Sequence, residues 1–159
     1  MRDPIGAALH LPFATGAEHD VMARVEELLE MLGITDFRDK LGGELSTGSR
    51  RIVDLACVLA HGPSILLLDE PSSGIAQREA EALGPLLLRI REQTGATLLV
   101  IEHDVPLLLS ISDRLVALDL GEIVSIGNPD DVVRDPTVVK SYLGTTDAVI
   151  ARSGTRGSD

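Results

Sequence analysis

The sequence predicts an α/β fold, with a parallel sheet flanked by helices and a β-hairpin near its C-terminal end. Two short aliphatic runs, Ile65-Leu66-Leu67-Leu68 closed by Asp69 and Thr97 through Ile101, have the composition of strands buried on both faces. A helical stretch from about Ala76 to Gln93 lies between them, so strand, helix and strand follow in the order of a right-handed crossover unit. Leu115–Asp119 and Glu122–Ile126, separated only by Leu120-Gly121, read as a hairpin at the sheet's end.

The remaining elements follow from local signals. Thr15 and Glu18 have capping-box spacing, and Val21, Val25, Leu28, Leu29 and Leu32 then form one apolar stripe that Gly33 ends. Ser46 is a natural N-cap for a second helix running to about Ala60, before Gly62 and Pro63. Pro71 through Gly74 is a turn. Gly84-Pro85 should kink or restart the helix that follows it. Pro106 suits the first turn of a short helix to about Ser112, and Asn128-Pro129 and Asp135-Pro136 each open a small one. No internal repeat is visible. Three stretches result: residues 1–62 with two helices, 63–143 with the strands, and 144–159 as a Gly, Ser and Thr-rich tail expected to be disordered.

Composition narrows the function. At 159 residues, 44% hydrophobic and 25% charged, the chain has the proportions of one globular domain. Phe13, Phe37 and Tyr142 are the only aromatics, so Leu, Ile, Val and Ala must fill the core. A formal charge of −11 argues against nucleic acid as a partner, since phosphate contacts need clustered Lys and Arg. Cys57 is the sole cysteine, expected as a small buried apolar side chain, and a reducing compartment fits. Asp3 and Pro4 stand where a secretory leader would turn apolar, and no run approaches the roughly 20 apolar residues of a membrane span, so neither is expected.

Three places carry chemistry. Asp69-Glu70 closes an aliphatic strand, which puts two carboxylates at the sheet's C-terminal edge, where open α/β sheets bind ligands. Hydrolysis of a phosphoanhydride needs a metal to spread charge and a base to orient water. Asp69 suits Mg²⁺, through its water shell, and Glu70 suits the water. The helix opening at Ser46-Thr47-Gly48-Ser49 presents free N–H groups, a hydroxyl at Ser46 and close approach at Gly48, all of which favour an anion. Arg50 and Arg51, poorly placed for the helix's own dipole, fit a site that attracts outside anions. His103 follows the second strand and is also at the C-terminal edge, where an imidazole can reach a γ-phosphate or polarise water.

Taken together, Leu45 through Ser49, Ile65 through Pro71 and Ile101-Glu102-His103-Asp104 resemble, in order and spacing, motifs of the ABC ATPase family. They correspond to its signature motif, its Walker B strand with the following glutamate, and its switch histidine. Ser72-Ser73-Gly74-Ile75 stands at the D-loop. The resemblance runs from about Glu18 to Gly144. It implies a partial P-loop-type ABC ATPase fold with part of the helical subdomain, and a composite ATP site shared between two stacked ATPase subunits. Asp69 (Mg²⁺), Glu70 and His103 would then serve the chain's own ATP, while Ser46 and Gly48 reach the ATP of the partner subunit. It also implies transmembrane permease subunits, and a place on the cytoplasmic face of the cell membrane through them.

Ser112-Asp113-Arg114, Leu118 through Gly121 and Ser141 through Gly144 look like the ATPases of branched-chain amino acid importers, as does a D-loop with Ile75 where the family has Asp. Thr47 and Ser49 replace the usual Gly and Gln of the signature. No G-x-x-x-x-G-K-[S/T] pattern occurs in the 159 residues, and the chain is expected to be a fragment that is inactive without that loop. Two other readings remain open at this point: a catalytically inactive module that pairs with a full ATPase subunit, and an ABC-class ATPase of DNA maintenance, which would need coiled-coil arms and basic faces.

Overall fold

The computed structural model describes residues 12–75 and 77–143. The tail expected to be disordered, residues 144–159, lies outside them, as do the first 11 residues. Two compact units divide the chain, Met1–Glu102 and His103–Asp159. The helices before residue 62 and the strands Ile65–Asp69 and Thr97–Ile101 belong to the first unit, and the strands Leu115–Asp119 and Glu122–Gly127 to the second.

In the first unit, α1 (Pro12–Leu32) starts ahead of the expected cap: Thr15 is already helical, so its spacing from Glu18 marks no helix start. The helix stops as expected. Gly33 takes φ 70°, its N–H bonds to Glu30 O, and the Ile34 N–H reaches back to Leu29 O at 2.9 Å. These two bonds form a Schellman cap, which glycine makes cheap. Only the lower half of the apolar stripe is used: Leu28 and Leu32 are buried, whereas Val21 and Val25 are exposed. Helix α1 packs on α2 (Thr47–Leu59) and α3 (Gln77–Thr94), and Arg89 of α3 donates to Met31 O at 3.2 Å.

Helix α3 runs unbroken through Gly84-Pro85, so of the expected kink or restart the restart does not occur. Leu83, Leu86, Leu87 and Ile90 are all buried around that position, and their packing offsets the hydrogen bond that Pro85 cannot donate. Strands β1 (Ile65–Asp69) and β2 (Thr97–Ile101) pair in parallel with Ile65 opposite Thr97 and Asp69 opposite Ile101. The expectation of burial on both faces fails. Leu66 is buried, but Ile65, Leu67, Leu99 and Ile101 are each 58–69% exposed. Period-2 alternation and in-register pairing put these four side chains on one face of the pair, and no described element of this unit covers it. Cys57 is exposed too, correcting the expectation that it is buried: Leu59, two residues on and so nearly opposite on the helix, takes the inward position.

The second unit begins at α4 (Val105–Ile111), whose N-cap Asp104 accepts from Leu107 N at 3.0 Å. Strands β3 (Leu115–Asp119) and β4 (Glu122–Gly127) form the expected hairpin, with both loop residues at positive φ, Leu120 at 48° and Gly121 at 86°. That is the backbone of a tight two-residue turn matched to strand twist. The hairpin is a two-stranded sheet of its own rather than the end of the parallel one. Helix α5 (Pro129–Arg134) and the short turn α6 (Pro136–Val138), capped by Asn128 and Asp135, bury Val132 and Val138 against Ala117, Leu115 and Val124. Among the described residues no polar or charged side chain is buried.

Candidate functional site

Within the first unit, the start of α2 reaches the end of β1 through its own Arg51. Ser46 is extended (φ −61°, ψ 164°), and its Oγ accepts the Ser49 N–H at 3.1 Å, which satisfies one of the helix's free donors. The same Oγ lies 2.9 Å from Ser49 Oγ and 3.1 Å from Glu79 Oε1. A serine has one proton and an ionised carboxylate can only accept, so Ser46 donates to Glu79 and receives from Ser49. Gly48 is buried, and a Cβ built on it would collide with the Glu79 carboxylate. The closeness that glycine allows at this position is therefore used by a side chain of the same chain.

Asp69 and Glu70 leave the sheet together at its C-terminal edge, and both are exposed. Glu70 sits at φ 43°, a left-handed conformation that costs a non-glycine residue about 1–2 kcal/mol. Four contacts hold it there. The Glu70 N–H bonds to Ile101 O at 2.8 Å, and Ser73 N–H returns to Glu70 O at 3.0 Å. Arg51, little more than one turn into α2, donates to Pro71 O at 2.9 Å and Glu70 O at 3.3 Å. Glu102, just past β2, accepts the Ser72 N–H at 2.7 Å and so secures the turn after the carboxylates. Arg51 thus grips carbonyls of its own chain, which corrects the reading of that guanidinium as a lure for outside anions. The structure records no such grip for Arg50, which is exposed.

His103 opens the second unit, two residues past β2, and is exposed. Ser46, Gly48, Asp69 and Glu70 are brought into one unit; His103 belongs to the other. Among the described residues no group of three or more His, Cys, Asp or Glu is arranged to hold a metal. A single exposed carboxylate suits Mg²⁺, which commonly binds one or two carboxylates and takes its other ligands from water and substrate phosphates. Asp69 fits that pattern.

Sequence reasoning missed Glu79 and Glu102 and misread Arg51. Each acts across 19 or more residues of chain, and residue type alone does not show a partner at that distance. The one available signal was Arg51 itself, a cation near a helix start, where the helix dipole disfavours it.

An aliphatic parallel strand ending in two carboxylates, beside a serine-capped helix start, is the layout of an ATP-binding cassette. Residues 7–73 of this chain match the family model described as ABC transporter. The chain is similar to the high-affinity branched-chain amino acid transport ATP-binding protein BraF of Pseudomonas aeruginosa, at 34% identity over 128 residues that cover 80% of this chain and 50% of BraF. LivG of Escherichia coli, described in the same words, is 31% identical over 136 residues, covering 86% of this chain and 53% of LivG. Among solved structures, the ADP conformation of MJ1267, an ATP-binding cassette of an ABC transporter, superposes with a TM-score of 0.70 at 29% identity, covering 79% of this chain and 50% of that one. The cbiO1 protein of Clostridium perfringens, part of the ABC transporter complex cbiONQ, gives 0.71 at 26% identity over 86% of this chain and 54% of that one. The chain spans about half the length of the curated relatives it matches. No described helix is long and apolar enough to cross a membrane.

Proposed function

We propose that this chain is part of the ATP-hydrolysing subunit of an ABC importer for branched-chain or other hydrophobic amino acids. In that role it pairs with a second ATPase subunit and works on transmembrane permease subunits from the cytoplasmic side. One observation carries the catalytic part: Glu70 is fixed beside Asp69 at the strand's end, in a strained backbone conformation that contacts from α2 and β2 maintain. Strain of this kind persists only where the surroundings enforce it, and it gathers at working sites.

The proposed chemistry is attack of water on the γ-phosphate of ATP. Glu70 orients the water and takes its proton; the ordering of its backbone limits the positions its carboxylate can sample. Asp69 would hold Mg²⁺, which would supply charge to offset that of the phosphates. His103 keeps the role of switch histidine through its resemblance to the family's motif, and Ser46 with the backbone at Gly48 meets the nucleotide of the partner subunit. The resemblance of these positions to the family's motifs supports the assignments. The cradle for the β and γ phosphates has no counterpart among the 159 residues, so hydrolysis takes place in a full-length subunit that supplies one.

Glu70→Gln in the full-length subunit tests this reading. The amide has the size of the carboxylate but is a far poorer base, so ATP turnover should fall by about 10²–10⁴-fold with ATP binding retained. Turnover within a few-fold of the unsubstituted protein would take Glu70 out of the mechanism.

A further inference from the structure

The carboxylate of Glu79 sits against Ser46 and Gly48, the two residues that the proposed function assigns to the partner's nucleotide. It accepts from Ser46 Oγ at 3.1 Å, and it packs so closely on Gly48 that a methyl group there would require the carboxylate to move aside. Glu79 lies in the first turn of α3, so its charge also faces the N-terminal end of its own helix. Two helix starts, each carrying partial positive charge, thus lie near one anionic side chain. Nothing in the catalytic scheme uses it.

We propose that Glu79 is a built-in competitor for the signature turn, an internal anion that the partner's nucleotide must displace before the two subunits close. The proposal rests on the reading of Ser46 and Gly48 as the contact to that nucleotide. A phosphate and a carboxylate are both anions that accept from a serine hydroxyl and from helix N–H groups, so they satisfy the same donors and exclude each other by charge and by volume. With Glu79 seated, the Ser46 proton is committed and the Cα of Gly48 is covered. On closure the Glu79 side chain swings out, and Ser46 and the Gly48 backbone turn to the incoming γ-phosphate. The contact thereby raises the ATP concentration at which subunits associate, without touching the chain's own nucleotide.

The test uses the full-length subunit in a Glu70→Gln background, which holds ATP unhydrolysed. Association is followed by sedimentation as MgATP is raised, and nucleotide binding to the isolated subunit is measured in parallel. Glu79→Gln keeps the shape and the Ser46 contact but removes the charge; Glu79→Ala removes both. Each should lower the MgATP concentration for half-maximal association by about two- to fivefold, the range of a single exposed helix-end interaction, with binding to the isolated subunit unchanged. A half-maximal concentration that is unchanged or raised in Glu79→Gln overturns the proposal, and that variant decides the matter if Glu79→Ala does not fold. Ser46→Glu separates the two ideas by adding a charge at an exposed position on the same turn. If it associates like the parent, the signature turn does not meet the partner's nucleotide, and the underlying reading falls whatever Glu79 does.

Discussion

Arg51→Met should slow ATP turnover far more than it destabilises the protein. The substitution keeps the aliphatic stem and removes the guanidinium that donates to Pro71 O at 2.9 Å and Glu70 O at 3.3 Å. The first distance is ordinary for N–H···O and the second is long, so the pair counts as one good bond and one weak one. Arg51 is exposed, and water screens both. A net contribution of about 1–1.5 kcal/mol follows, at the low end for a charged donor. The left-handed backbone of Glu70 costs a similar amount, about 1–2 kcal/mol, so the clamp and the strain are nearly balanced. Without the clamp, the Ile101, Ser73 and Glu102 contacts still hold the turn together, but the carbonyls of Glu70 and Pro71 are free to relax. Misplacing a catalytic group by about 1 Å costs on the order of 10² in rate. The expected result in the full-length subunit is an ATP turnover about 10–100-fold lower, with ATP affinity unchanged and stability reduced by no more than about 1.5 kcal/mol in urea. Lysine, lacking the planar fork, should restore turnover only in part. If Arg51→Met turns over within threefold of the parent while losing that stability, the guanidinium is structural and the positioning argument is wrong.

Two other outcomes can be checked on the 159-residue chain. Titrated with MgATP in a calorimeter, it should show no binding at micromolar concentrations: a helix end contributes about 0.3–1 kcal/mol, against roughly 8 kcal/mol for a micromolar complex. A dissociation constant in the low micromolar range would mean that a phosphate site has been overlooked. In the second unit, the Thr137 N–H at 2.8 Å from Asp135 Oδ1 and a hydrogen bond from Ser125 hold the Asp135 carboxyl below its ordinary pKa of 3.8. A depressed carboxyl stabilises the fold above its unfolded pKa and loses that contribution as pH falls through the folded value. Melting temperatures taken from pH 7 downward should therefore converge for the parent and Asp135→Asn at acid pH; curves that stay parallel would remove this cap from the acid response.

Local chemistry was legible in the sequence and distant chemistry was not. Ser46, Asn128 and Asp135 cap the helices that follow them, and each bond spans two or three residues. The Leu120-Gly121 turn and the Gly33 stop are equally local. The order of elements and the parallel pairing followed from these together with the aliphatic runs. What failed depended on neighbours the sequence does not name. The β1–β2 pair reads as covered on both faces because its residues are apolar throughout, yet one face is bare, and composition reports tolerance for burial rather than burial itself. Proline in α3 reads as a break until the packing of Leu83, Leu86, Leu87 and Ile90 is known. The candidate residues were legible as types at a familiar spacing, while the contacts that set Glu70's backbone and fill the signature turn had to be seen.

Those contacts bear on how two ATP sites can communicate. Ser46 caps α2, and Arg51 on the same helix grips Glu70 and Pro71. In the proposed function, Ser46 faces the partner's nucleotide and Glu70 acts on the chain's own. Five residues of helix span about 7.5 Å at a fixed rise, and an α-helix does not stretch between them. A shift of the signature turn, as Glu79 leaves and a phosphate arrives, therefore moves the Arg51 Cα with it. The guanidinium must then either drag the carbonyls of Glu70 and Pro71 or give up its bonds to them. Because the Glu70 backbone is strained and the clamp nearly balances that strain, a small movement is enough to change its conformation. A residue in an unstrained extended backbone would absorb the same shift without effect. On the proposed assignment of Ser46 and Glu70, the left-handed φ of Glu70 is what would let the occupancy of one site be felt at the base of the other.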